Sequence, residues 1–297
     1  MTQRAMFVLL FFAMIGWGSS WVNVKVISTY INEFEMVFFR FSITILTMIP
    51  IMMLLKTSFR IDLKSFSLAC IASIVLIIYM KYFFLGAKFG TASLGGAMVT
   101  TLIPIITFVM LAFMGLKTIT RKDAIALCIG AIGVLTMLNV WKFNLAQILV
   151  PHNLYFLLAA ILWPILTIIS SKSTKVSPLT FTFYMYLVTI TLVGVFFIEI
   201  EAIAFEHWDG IFWFNILFIS VAGTTFANTI YFLGIEKLGA AEVSSFVFLV
   251  PFSAIILSAI FLKERIDLSI IIGTILTLFA VKMLNNITIL KRRQKSV

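Results

Sequence analysis

The chain has 297 residues, 62% of them hydrophobic and 11% charged, so its apolar surface exceeds what a soluble core of this length hides, and lipid must serve as solvent. The formal charge of +10 does not point to a nucleic-acid partner, because Lys and Arg sit in short connectors rather than on one face of a domain. Cys70 and Cys128 fall inside apolar segments with no metal-ligand spacing, which argues against a disulfide framework, a metal site or a redox motif.

The run after Arg4 is too long for a signal peptide and lacks a small-x-small cleavage site, so it reads as a first span. Charged or turn-rich breaks place spans near 6–25, 36–55, 66–87, 93–115, 124–141, 153–170, 178–198, 211–233, 241–262 and 268–287. The expectation is an all-α integral membrane protein of ten transmembrane helices, since open sheets leave backbone groups unpaired in hydrocarbon. With the N-terminus inside, most cations fall on the cytoplasmic side, from Arg4 and the Lys56, Arg60, Lys64 connector to the tail of Lys291, Arg292, Arg293 and Lys295. Only Lys25, Lys88, Lys142, Lys263 and Arg265 fall on the other side, which also holds Glu199, Glu201, Glu206 and Asp209. By the positive-inside rule both termini are expected in the cytoplasm.

An internal repeat follows. Ala13 to Trp17 matches Ala159 to Trp163, Phe84-Leu85-Gly86 matches Phe232-Leu233-Gly234, and Pro104 matches Pro251. Leu116-Lys117 matches Leu262-Lys263, and Ile129-Gly130 matches Ile272-Gly273, so the offset stays at about 145 residues across half the chain. The domains are then 1–146 and 147–297, the second with a short basic tail. Five spans per half would make the repeats enter the bilayer from opposite sides, the symmetry that underlies alternating access around a central cavity.

Several short elements keep this order: Trp17-Gly18-Ser19-Ser20, Arg40-Phe41, Gly90-Thr91-Ala92-Ser93 leading to Pro104, and Gly239-Ala240-Ala241 leading to Pro251 and Leu262-Lys263-Glu264. In that order the sequence resembles the drug/metabolite transporter superfamily, specifically its EamA-like members with ten helices. The resemblance implies a basket of helices around a cavity, and transport, often export, of amino acids or related metabolites. The first half has Lys117-Thr118 where the family's acidic residue stands as Glu264 in the second, so that glutamate is not expected to couple transport in both repeats.

Ionisable groups inside spans are costly and mark function or compensation. Arg40 lies near the start of the second span and is expected to play a structural role, snorkelling to the outer interface or capping carbonyls there. Lys81, flanked by Tyr79 and Tyr82, either snorkels past Phe84 and Leu85 or faces the cavity to meet a carboxylate or phosphate. The absence of a lysine at the repeat-equivalent Thr229 favours the cavity. Trp17 and Trp163 are equivalent, well inside their spans, and are expected to wall a pocket, with indole faces able to attract an ammonium group. Pro104 and Pro251 are expected to kink their helices mid-span, freeing the carbonyls of Thr100 and Val247 and acting as hinges. Ser20, Asn23, Thr100, Thr101, Asn228, Tyr231 and Ser245 are polar candidates for the cavity, though most such hydroxyls bond back to their own helix. Glu242 is the only acid near a span interior, a coupling group or a solvated helix N-terminus.

The functional expectation is a secondary transporter exporting a small polar metabolite by alternating access across the cytoplasmic membrane of a bacterium. The alternatives are a channel-like facilitator or a multidrug exporter of aromatic cations. No enzyme constellation is seen: His152 and His207 lie in separate connectors, and no nucleophile with a base is visible. The expected partners are the solute and the bilayer, with no cofactor, and the chain is read as a monomer with a homodimer as alternative.

Overall fold

Hydrocarbon offers peptide groups no partner, so each apolar stretch closes into a helix whose bonds stay internal, and the connectors supply the side chains that finish each helix end. The computed structural model describes residues 2–115, 118–142, 150–199, 201, 203–238, 243, 246–247 and 249–285, and among these the regular structure is helical throughout. The helices are α1 (Gln3–Ile27), α2 (Glu33–Leu54), α3 (Leu63–Phe89), α4 (Ala92–Phe113), α5 (Arg121–Met137), α6 (Pro151–Ser171) and α7 (Pro178–Phe196). Then come α8 (Gly210–Ser220), a π-helical segment (Val221–Phe226) and α9 (Ala227–Leu238), followed by α10 (Leu249–Phe261) and α11 (Leu268–Asn285).

The starts follow from sequence chemistry. Asn32 and Glu35 form a reciprocal capping box on α2, and Thr120 and Asp123 form another on α5. Asp62, Thr91, Ser177 and Asp209 cap α3, α4, α7 and α8, and proline opens α6 and α7, where its missing N–H costs nothing. At the α4 and α10 ends the residues just beyond the helix, Gly115 (φ 70°) and Lys263 (φ 53°), turn left-handed, so the two helices stop in the same way.

Seven spans among the described residues are long and apolar enough to cross a bilayer, the stretch Gly210–Gly234 through the π segment counting as one. The helices α10 and α11 are apolar but shorter. Outward-facing side chains such as Leu46, Leu54, Phe113, Val195 and Phe214 are exposed and apolar, the surface lipid requires. The protein is a multi-pass membrane protein.

Hydrogen bonds between connectors sort the bundle into two ends. At one, here the near end, Thr180 Oγ1 donates to Ser58 O (2.7 Å) and the Tyr184 hydroxyl donates to Phe59 O (2.8 Å). At the other, the far end, the Tyr30 hydroxyl donates to the Asp209 carboxylate (3.0 Å). Helix packing pairs the two halves: α1 lies on α10 as α6 lies on α4, and α3 lies on α6 as the α8–α9 rod lies on α1. The helices α2 and α7 pack together, and so do α5 and α11. At the α5–α11 crossing a methyl group on Gly273 would stand 2.5 Å from the Gly133 carbonyl oxygen, so only glycine permits this approach.

Candidate functional site

Polar and aromatic side chains from both halves meet at about mid-depth. Arg40 sits about two turns into α2, because the helix begins at Glu33, earlier than the hydropathy break suggests. It is 7% exposed and does not snorkel. Its Nε and Nη2 donate to Thr224 Oγ1 at 3.2 and 3.1 Å, and Nη1 approaches Met80 Sδ at 3.8 Å. The guanidinium carbon lies 5.6 Å from the centre of the Phe41 ring. Among the described residues no carboxylate pairs with it. The only buried acid there is Asp123, which caps α5 elsewhere.

Thr224 owes its place to the π segment. Its hydroxyl donates to Ile219 O five residues back (2.8 Å), and Thr225 donates likewise to Ser220 O (3.1 Å). A π turn inserted in an α-helix often marks a functional site, because it rotates the residues after it and loosens the carbonyl ladder. Thr44 and Thr47 on α2 extend the seam: Thr44 Oγ1 reaches Ser220 O (3.3 Å), and the Thr47 and Thr225 hydroxyls are 2.7 Å apart.

A second chain of bonds runs from α1 to α7. Trp17 Nε1 donates to Asn228 Oδ1 and Asn228 Nδ2 donates to the Tyr186 hydroxyl, both at 3.0 Å. Tyr186 stacks on Phe41 at 4.4 Å, which brings this chain beside Arg40. Trp17 also packs on Tyr231 (5.0 Å), while its repeat mate Trp163 packs on Tyr79 (4.9 Å), so each tryptophan crosses to the other half. The hydroxyls of Tyr79 and Tyr231 make no hydrogen bond among the described residues.

Toward the far end the cluster is covered. Trp21 packs edge-on against Phe83 (4.4 Å) and Phe156 (5.9 Å), and the Phe156 ring fills the space that Gly86 and Gly95 leave, where an added methyl would stand 2.6 and 2.5 Å from it. Beyond this layer, Lys25 Nζ donates to the carbonyls of Lys88 (2.8 Å) and Gly90 (2.7 Å), closing the end of α3. Glu264, from the second half, accepts the N–H groups of Ala92 (2.8 Å) and Ser93 (3.0 Å) at the start of α4. Both charges answer a helix terminus of the sign they favour. Glu264 therefore ties the halves together, a role that sequence reasoning did not assign it.

The other sequence candidates divide. Asn23 and Asn215 bond across α1 and α8 (2.8 Å), nearer the far end. Ser20, Thr100 and Thr101 donate to carbonyls of their own helices, to Gly16 O, Gly96 O and Ala97 O. Tyr82 stacks on Tyr155 (5.9 Å). Lys81 lies on the opposite side of α3 from Tyr79, its Nζ 5.7 Å from the centre of the Phe34 ring in the first turn of α2. The structure gives it the outward course rather than a place beside Arg40. Pro104 is interior to α4, but Pro251 falls in the first turn of α10. Val247 O, expected to be freed, accepts the Val250 N–H at 3.0 Å. Glu242 and Ser245 lie outside the described residues. Among the described residues no group of His, Cys, Asp and Glu is arranged to hold a metal.

The EamA-like transporter family matches residues 4–139 and again 151–286. No curated protein matches the sequence. One solved structure, described only as "Crystal structure of protein", superposes on 99% of this chain and 100% of its own with a TM-score of 0.62 at 14% identity, a likeness of fold alone.

Proposed function

The chain belongs to the EamA-like transporter family, a membrane transporter of the drug/metabolite type, and from that premise we propose that it exports a small polar metabolite, an amino acid or a related compound, by alternating access. The observation that carries this reading is the meeting of both halves in one polar, aromatic cluster at mid-depth, with Trp17 hydrogen-bonded to Asn228 and Trp163 on Tyr79.

Ten crossings as two inverted quintets account for the pairing. The α1 helix runs from near to far and α6 from far to near, and the packing of α1 on α10 and of α3 on α6 has counterparts, with the halves exchanged, in α6 on α4 and the α8–α9 rod on α1. The far-end layer of Trp21 and Phe156 with the Glu264 tie describes a gate closed on that side. The distribution of basic residues supports a reading with both termini in the cytoplasm of a bacterium and the far end outside.

The test is counterflow in proteoliposomes with amino acids, organic acids and aromatic cations, with and without a pH gradient. Saturable exchange of a small metabolite supports the proposal. Flux that does not saturate would make the protein a channel, and exchange confined to aromatic cations would make it a multidrug exporter.

A further inference from the structure

A buried guanidinium with unused donors has the chemistry to receive an anion. Arg40 has five N–H groups; two go to one neutral hydroxyl and one faces a thioether, a weak acceptor. Thr224 accepts both bonds on a single oxygen while donating to Ile219 O, so it carries no charge to offset the arginine. A charge left this way at mid-depth is costly, and a cation kept there without a counter-ion is expected to meet one in use. Chemistry fixes the shape of that counter-ion: the planar fork matches a carboxylate in two parallel bonds, which a point-charge lysine would not.

The surroundings settle what else the site reads. Tyr79 presents a hydroxyl with no partner among the described residues, able to donate to the same anion. For an ammonium group the described cluster offers no carboxylate, only the ring faces of Trp17, Trp163 and Tyr231. We propose that Arg40, held by Thr224 on the π segment, binds the carboxylate of the solute, and that the amino group is not read by charge. Deaminated acids then bind as well as the parent amino acids, whereas amines and esters do not. This inference rests on the transporter reading and sharpens it to carboxylate solutes of either kind.

The experiment uses the full chain in lipid nanodiscs and in proteoliposomes. Tryptophan fluorescence is titrated with matched sets on methyl, isobutyl and benzyl bodies: amino acid, plain carboxylic acid, amine and amino-acid methyl ester, with chloride as the inorganic control. The expected result is saturable binding of acid and amino acid within about threefold of each other, and none of amine or ester at the same concentration. Arg40→Gln should weaken the acid by about 10- to 100-fold, the loss of a hydrogen bond to a charged group, while Arg40→Lys recovers part of it. Thr224→Val, which frees two donors while leaving the charge, should bind the acid at least as tightly and serves if Arg40→Gln does not fold. Amine or ester binding equal to the acid overturns the inference, as does saturation by chloride with no further response to acid, or weaker acid binding by Thr224→Val. Charge-blind counterflow would sink the inference and leave the transporter standing; carboxylate binding without flux would do the reverse.

Discussion

Replacing Glu264 by Gln should open the start of α4 without unfolding it. In the native chain the two carboxylate oxygens accept the Ala92 and Ser93 N–H groups at 2.8 and 3.0 Å. An amide keeps one acceptor oxygen and turns an NH2 group toward the second N–H, so one bond is lost and the other loses its charge. A hydrogen bond to a charged group contributes about 1.5–3 kcal/mol, which at about 1.4 kcal/mol per decade is a 10- to 100-fold rise in local opening. Hydrogen exchange resolved to single amides reads this directly in nanodiscs. Ala92 and Ser93 should exchange about 10- to 100-fold faster. Leu94 serves as control, since its N–H goes to Thr91 Oγ1 (3.3 Å) and not to Glu264. Unchanged exchange at Ala92 and Ser93 would refute the tie. An equal rise at Leu94 and Gly95 would show general fraying instead.

Two other expectations follow from packing and titration. Gly273→Ala should lower the thermal midpoint of the purified protein, because its methyl group meets the Gly133 carbonyl oxygen at 2.5 Å and overpacking costs about 1–3 kcal/mol; Gly210→Ala, with nothing within 4 Å, should leave the midpoint unchanged. The Asp209 carboxyl is held below its ordinary value of 3.8, first by the Phe212 N–H and then by the Tyr30 hydroxyl and the Ile211 N–H. A depressed carboxyl contributes stability that is complete above the ordinary value and lost as pH falls through the lowered one. Exchange at Ile211 and Phe212 should therefore stay slow down to about pH 4 and rise below it. Asp209→Asn should flatten that pH profile, and a profile identical to native would contradict the assignment.

How far the sequence could be read depends on the kind of physics each feature uses. Helix existence was legible because apolar length and capping chemistry are local: Asn32 with Glu35, Thr120 with Asp123 and Ser177 before Pro178 all act within one turn. The pairing of Trp17 with Trp163 was legible as a repeat. The partner of Arg40 was not, because Thr224 is 184 residues away and is delivered by a π turn that leaves no mark in hydropathy. Nor was the side to which Lys81 points. The helix α3 is apolar all round, so nothing in its pattern fixes its rotation, and only contact with Phe34 on α2 does. The Val247 carbonyl, expected to be freed by Pro251, accepts the Val250 N–H instead, a local turn that the repeat pattern does not signal.

The offset that pairs Trp17 with Trp163 also pairs Arg40 with Tyr186, and both lie in the cluster, on α2 and α7, which pack together. A duplicated scaffold thus carries one charge: where one half presents a guanidinium, the other presents a phenol. If the two halves are related by a half-turn, exchanging these residues moves the cation across the axis and keeps it in the same pocket. Arg40→Tyr alone should lose carboxylate binding by about 10- to 100-fold, and adding Tyr186→Arg should bring it back to within about tenfold of native. The transplanted arginine would face Leu76, the position related to Thr224 by the repeat, which by the reasoning for Thr224→Val costs no acid binding, while Asn228 would lose its phenol acceptor; this second effect argues for partial rather than full recovery. Tyr186→Phe in the native background measures that cost by itself. A folded double variant that binds no better than Arg40→Tyr would mean that the two positions do not share a pocket, and the half-turn relation would fail where it matters for the solute.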